Sequence, residues 1–237
     1  MKTITFNKMH ANGNDFLITD DREILNQPIQ KLSNRKTGVG FDQLLFFDKE
    51  IQSVQIFNAD GSKAKSCFNG LRCVAKLYDL NNFQLELFGR SLILNSDGSV
   101  QSKHPAILHD DTFAYLDIGN KHVVVHVKDI HNTNLVVLYD KYQEYVKTLK
   151  LDLDFNLNVY EEVNNYYQIR TFENGVGETL SCGTGTSATA FMIYKQLDKK
   201  TIKFLSKGGE TTINICNDYL ISKAKAEISF QGELSGG

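Results

Sequence analysis

Apolar and polar positions alternate through most of this chain, and the pattern lengthens to helical spacing in only a few places. Thr3–Phe6 and Asp15–Asp20 read as strands around a turn at Ala11-Asn12-Gly13-Asn14. Ile29–Lys36 reads as a short helix that stops at Gly38-Val39-Gly40, and Gln43–Phe47 as an apolar strand. Ser53–Asn58 alternates with Val54 and Ile56 on one face and ends at Ala59-Asp60-Gly61. Leu71, Val74, Ala75, Leu77 and Tyr78 then recur at helical spacing, and strand signals run from Phe83 to the turn at Asp97-Gly98. A second half opens near Pro105. Phe113–Ile118 and Val123–Val127 read as strands, Leu135–Leu138 as a further apolar run, and Tyr139–Thr148 as helical. Tyr166–Phe172 is strand-like, and Thr186–Leu197 is a helix rich in Ala, Phe, Met and Ile. Short strands are expected at Lys203–Leu205, Thr211–Cys216, Tyr219–Ser222 and Lys225–Phe230. Many strands with two main helices predict the α+β class.

Composition narrows the possibilities. At 237 residues the chain holds one large domain or two small ones, and 41% hydrophobic with 23% charged residues suffices for a core. A net charge of −2 gives no electrostatic case for a nucleic-acid partner. No apolar run approaches the roughly 20 residues of a membrane span. The opening Met1-Lys2-Thr3-Ile4-Thr5-Phe6 alternates like a strand and lacks the apolar block of a signal peptide, so cytoplasm is the expected location. Four cysteines in a chain of this length do not form a disulfide framework, and without a C-x-x-C or spaced histidines no metal site is expected. Pro28 and Pro105 are the only prolines, and no linker divides the chain, so two domains would pack closely or share strands.

The cysteines carry the candidate chemistry. Phe57 to Gly70 aligns without a gap on Phe172 to Gly185: each copy has Phe ten positions before a Cys, Ser one before it and Gly three after it. Gly13-Asn14 and Gly119-Asn120 echo one another ahead of each Cys. Cys67 and Cys182 each stand before a helix, whose unpaired N–H groups and partial positive charge favour thiolate over a free thiol of pKa about 8.5. The same groups can hold a carboxylate, and Gly183-Thr184-Gly185 allow close approach to the backbone. Two like thiols in two like halves suit inversion of a carbon centre: one thiolate removes a proton and the opposite thiol supplies another, with no cofactor. Cys73 and Cys216 read as small buried hydrophobes, Lys63 and Lys65 as a solvated face. His10 and His122, taken singly, read as packing or surface residues.

The chain resembles the diaminopimelate epimerase family. The matching motifs are Lys8-Met9-His10 with Gly13-Asn14-Asp15-Phe16, then Gly38-Val39-Gly40-Phe41-Asp42-Gln43, then Phe57-Asn58-Ala59-Asp60-Gly61-Ser62 with Cys67 to Cys73, and finally Gly175 to Thr179 with Ser181 to Gly185. The resemblance implies a homodimer with two pseudo-symmetric lobes per subunit, each a curled, mostly antiparallel sheet around a central helix. The lobes are expected at 1–108 and 109–224, with a C-terminal strand at about 225–237 returning to the first. By the same resemblance Cys67 and Cys182 are the acid–base thiols, assisted by His122 and Glu173. Asn14, Gln43, Asn58, Phe68, Asn69, Asn120, Asn156, Asn174, Gly183 and Thr184 fall at or near substrate positions, and the partner is a small-molecule amino-acid substrate. Three positions depart from the family pattern. Asn174 replaces an Arg that grips the distal carboxylate, Phe68 replaces Gly, and Lys121 replaces Pro. Diaminopimelate is the default substrate. The alternatives are another amino acid such as histidine, or a binding protein that has lost catalysis. A related isomerase without the cysteine pair fits less well, because both cysteines are present.

Overall fold

The computed structural model describes residues 3–235. They form two compact units, one of residues 3–101 with 224–235 and one of residues 102–223.

The first unit opens with β1 (Thr3–Ala11) and β2 (Asn14–Thr19), an antiparallel hairpin. A bulge between Lys8 and Met9 breaks the alternation of β1, so both side chains are buried. The Lys8 ammonium pairs there with the Asp15 carboxylate and donates to the Gly40 carbonyl. A short 3-10 helix (Arg22–Asn26) and α1 (Ile29–Ser33) follow, then β3 (Gln43–Asp48), parallel to β2, and β4 (Ser53–Asn58), antiparallel to β3. α1 is five residues long rather than extending to Lys36, because the chain leaves helical geometry at Asn34. Next come α2 (Phe68–Leu77) and the hairpin strands β5 (Phe83–Leu87) and β6 (Arg90–Leu94), then β7 (Ser99–Lys103). The last strand, β17 (Ala226–Ser235), pairs antiparallel with β1 from Ala226 opposite Ala11 to Ser235 opposite Thr3. The five-stranded order is β17-β1-β2-β3-β4, over a core that includes Ile4, Phe6, Leu17, Leu44 and Phe46.

The second unit repeats this plan. β8 (Ala106–Asp110) leads into β9 (Ala114–Asp117), which forms an antiparallel pair with β10 (Lys121–His126). α3 (Leu135–Thr148) connects to β11 (Phe155–Val163), parallel to β10, and β12 (Tyr166–Glu173) runs antiparallel to β11. The short β13 (Gly177–Thr179) pairs with β12 and leads to α4 (Gly183–Leu197). β14 (Thr201–Ser206), β15 (Gly209–Ile215) and β16 (Tyr219–Ala224) complete the unit. The sequence hairpin–crossover–hairpin–helix, with its parallel pair across the crossover, is the same in both units.

The expected α+β class is the one observed. Other readings change. The apolar run Leu135–Leu138 is the first turn of a 14-residue helix that continues through the helical stretch expected at Tyr139–Thr148. Its β-branched Val136 and Val137 face solvent, while Leu135, Tyr139, Tyr142 and Val146 keep the helical period and enter the core with Phe155, Leu157 and Val159. α3 is therefore a third main helix. Residues 106–110 and 155–163, which carried no strand signal in the sequence, are strands; β8 is largely exposed and β11 carries asparagines on one face. Cys73 is buried as expected, but Cys216 is partly exposed.

α2 and α4 are the most buried helices. Every residue from Phe68 to Ala75 and from Gly183 to Ile193 is buried. The glycine three places after each cysteine is what lets each helix approach its sheet. A Cβ on Gly70 would lie 2.8 Å from a Leu45 methyl, and one on Gly185 would lie 2.0 Å from Asn158 Oδ1. Three buried hydroxyls of α4 are satisfied within the helix. Thr186, Ser187 and Thr189 donate to the carbonyls of Cys182, Gly183 and Gly185 at 2.8, 2.9 and 2.9 Å.

Candidate active site

Cys67 and Cys182 are the N-cap residues of α2 and α4, both in extended backbone geometry. The cap position puts each sulfur at the end of a helix where the first N–H groups lack intrahelical acceptors.

In the first unit the Gly70 N–H donates to Cys67 Sγ at 3.4 Å, and the thiol donates to Asn14 Oδ1 at 3.7 Å. Asn14 Nδ2 in turn donates to Asp42 Oδ2 at 2.7 Å. Arg35 bridges Asp42 and Asp15, with bonds of 2.8 Å to Asp42 and of 2.7 and 2.8 Å to the two oxygens of Asp15. Burial pushes the Asp15 carboxyl up, but hydrogen bonds and charge from Arg35 and Lys8 outweigh it and hold the group well below the usual range. Gln43 Nε2 donates to Asn58 Oδ1 at 2.9 Å, and Asn58 Nδ2 to Ser62 Oγ at 3.0 Å. The Phe68 and Asn69 side chains are buried. Arg72, on the same helix, is fully buried; burial lowers its pKa to about 10, so it remains a cation at neutral pH. Burial pushes the Cys73 thiol far up, which keeps it protonated.

In the second unit the Thr184 hydroxyl lies 3.4 Å from Cys182 Sγ and 3.1 Å from His122 Nε2. His122 is fully buried, and burial lowers its pKa to about 3, opposed by Asp117. It is therefore neutral at physiological pH, a packed residue that also sits in the site. Its Nδ1 accepts from Asn158 Nδ2 at 3.0 Å. Glu173 Oε1 accepts from the Thr179 hydroxyl at 2.9 Å, across the β12–β13 pair. Asn156 Oδ1 accepts from the Asn174 N–H at 3.1 Å. The Asn174 amide is engaged at both ends: Nδ2 donates to Asp154 Oδ1 at 3.2 Å and Oδ1 accepts from the Tyr139 hydroxyl at 3.0 Å. Asn120 lies in the β9–β10 turn, where its carbonyl accepts from Ile118 N–H at 3.1 Å. Lys121 pairs with Asp152 at 2.8 Å.

The candidates therefore gather around each cysteine: Asn14 with Cys67, and His122 and Thr184 with Cys182. Sequence reasoning missed Asn158, Asp42, Asp154 and Tyr139. Asn158 had one signal, since it follows Asn156 by two residues and shares its strand face. Among the described residues no cluster of His, Cys, Asp or Glu is arranged to hold a metal ion, and no helix is long and apolar enough to cross a membrane.

Solved structures with this fold include a hydroxyproline epimerase from Agrobacterium vitis with bound trans-4-hydroxy-L-proline. It matches at TM-score 0.69 and 12% identity, over 99% of this chain and 91% of that one. A Bacillus anthracis phenazine biosynthesis protein of the PhzF family matches at TM-score 0.70 and 15% identity, over 99% and 100% of the two chains. At these identities the likeness is one of fold, and it agrees with the α+β class. Sequence is more specific. The family model described as diaminopimelate epimerase matches residues 6–89 and 114–227. The chain is 29% identical to the diaminopimelate epimerase of Methanocella arvoryzae, over 99% of this chain and 98% of the other. It is 32% identical to that of Legionella pneumophila strain Paris, over 89% and 90%. The chain belongs to the diaminopimelate epimerase family, and it is an isomerase, an amino-acid epimerase.

Proposed function

We propose that Cys67 and Cys182 invert the α-carbon of an amino acid by two-base proton transfer without a cofactor, and that the substrate is diaminopimelate. The observation that carries this reading is the matched pair of cysteines, each capping a buried helix in units of the same topology. One thiolate takes the α-proton while the thiol on the opposite face delivers its own. The pair ends each turnover with the protonated and deprotonated roles exchanged. Helix N–H groups, including those of Gly183 and Thr184, hold the α-carboxylate and stabilise the carbanion charge as it forms. His122 and Glu173 support the two thiols, and Asn14, Gln43, Asn58, Asn69, Asn120 and Asn156 position the substrate.

A second reading is favoured by Asn174. Where the family's Arg grips a distal carboxylate, the Asn174 amide is spent on Asp154 and Tyr139. A carboxylate brought there meets the Asp154 anion rather than a guanidinium. A substrate with a neutral or cationic distal group, histidine among them, suits this end better. Incubation in deuterium oxide with diaminopimelate and a panel of amino acids separates the two. Label at the α-carbon of diaminopimelate is expected; label in histidine alone moves the assignment to the second reading, and label in none removes both.

The same reading makes the protein a cytoplasmic homodimer. β17 ends its sheet and leaves Ile228 and Phe230 half-exposed, an apolar strip suited to a second copy of this chain. Sedimentation as a monomer at micromolar concentration is the contrary result.

A further inference from the structure

We propose that Asn158 is a positioning residue for Cys182: it holds His122 as the Nε2–H tautomer, which turns the Thr184 hydroxyl proton toward the sulfur. The inference rests on the reading of Cys182 as an acid–base thiol, but its geometry does not depend on which amino acid binds.

The Asn158 amide is fully buried. Its Nδ2 faces two backbone carbonyls, Val123 O at 3.2 Å and Asn156 O at 3.4 Å. Carbonyl oxygens accept only, so the NH2 group belongs on that side. Its Oδ1 accepts from the Thr171 hydroxyl at 3.0 Å, which fixes the other side. The amide orientation is thus set by the strands around it. The same Nδ2 donates to His122 Nδ1, which must therefore carry a lone pair. A neutral imidazole has one N–H, and it then lies on Nε2. An imidazolium would turn an Nδ1–H against the amide hydrogens, so the bond opposes protonation as burial does.

The Nε2–H meets Thr184 Oγ1 at 3.1 Å. A hydroxyl that accepts from His122 keeps its own proton for another partner, and Cys182 Sγ lies 3.4 Å away. A donor aimed at sulfur favours thiolate, and the hydrogen bond to the charged form is the stronger one. Every member sits on a rigid element: Asn158 on β11, His122 on the adjacent parallel β10, Thr184 in the first turn of α4. Gly185 leaves the space that Asn158 Oδ1 occupies.

The test uses full-length protein labelled with ¹⁵N-histidine, with His122 assigned by comparison with His122→Gln. Two-bond proton–nitrogen spectra between about pH 6 and 8 are expected to show a protonated Nε2 and a bare Nδ1. Asn158→Leu is expected to release the tautomer. Thr184→Val is expected to leave the tautomer but slow alkylation of Cys182 by iodoacetamide at neutral pH about tenfold, and Thr184→Ser to restore it. Cys67, read in the same digest by mass spectrometry, should keep its rate. A protonated Nδ1 in the unmodified protein overturns the proposal, as does an unchanged Cys182 rate in Thr184→Val. Neither readout needs turnover, so a protein that passes both yet epimerises nothing refutes the function and not the relay.

Discussion

The proposed mechanism rests on one atom type in one backbone position, at Cys67 and Cys182, and substitution tests it directly. Cys67→Ser or Cys182→Ser replaces a thiol by a hydroxyl, a far weaker acid. Each is expected to lower the epimerisation rate by at least about a hundredfold, measured as loss of α-deuterium incorporation and of optical rotation change. Gly185→Ala tests the packing beneath Cys182. Its methyl carbon would overlap Asn158 Oδ1, and both groups are buried, so one must move. A loss of about 1–3 kcal/mol in urea unfolding is expected. The cysteines were legible in sequence because the repeated motif preserves spacing on both sides of each. Asn158 was less so: no strand was read at residues 155–163, and its partners His122, Val123 and Thr171 lie elsewhere in the chain. The departure at Asn174 was legible, but its meaning came from Asp154 and Tyr139, distant in sequence by 20 and 35 residues.

Among elements, α3 shows how local composition and helical period compete. Asn134 caps it by accepting from the N–H groups of Val136 and Val137 at 3.1 and 3.2 Å. Asn134→Ala is expected to cost about 1 kcal/mol, read from the urea midpoint. The period of Leu135, Tyr139, Tyr142 and Val146 was present in the sequence, but the run Leu135-Val136-Val137-Leu138 concealed the start of the helix. The β12–β13 pair carries an acid-sensitive contact. Arg170 holds both oxygens of Glu178, at 2.7 and 3.0 Å, and Lys207 adds a third bond at 2.7 Å. Hydrogen bonding to Arg170 is the main cause that lowers the Glu178 pKa from 4.5 to about 2. A depressed carboxylate stabilises the fold above its unfolded pKa, and that stabilisation fades as pH falls from 4.5 toward 2. In Glu178→Gln the fall of the urea midpoint across this window is expected to be shallower, with the difference shrinking in high salt.

For the whole molecule, duplication explains why each unit closes on a helix that begins with a cysteine. The first unit also depends on the far end of the chain, because β17 covers the edge of β1 along its length. Truncation after Lys225 would leave that edge open beside buried Ile4, Phe6 and Met9. Loss of amide protection throughout β1 in hydrogen exchange is the expected result. If both sulfurs serve one carbon, mild oxidation should join Cys67 to Cys182 and stop turnover reversibly. Peptide mapping that finds both thiols free in oxidised, inactive protein would count against the shared centre.

The α+β class, the duplication, the cysteines and the family follow from sequence alone, because period, spacing and motif are properties of neighbours along the chain. Tertiary structure decided which nitrogen of His122 bears its proton, why glycine stands three residues beyond each cysteine, and what occupies the amide of Asn174. Those depend on strands that meet only after folding, where burial removes water and leaves each polar atom to whatever partner the packing supplies.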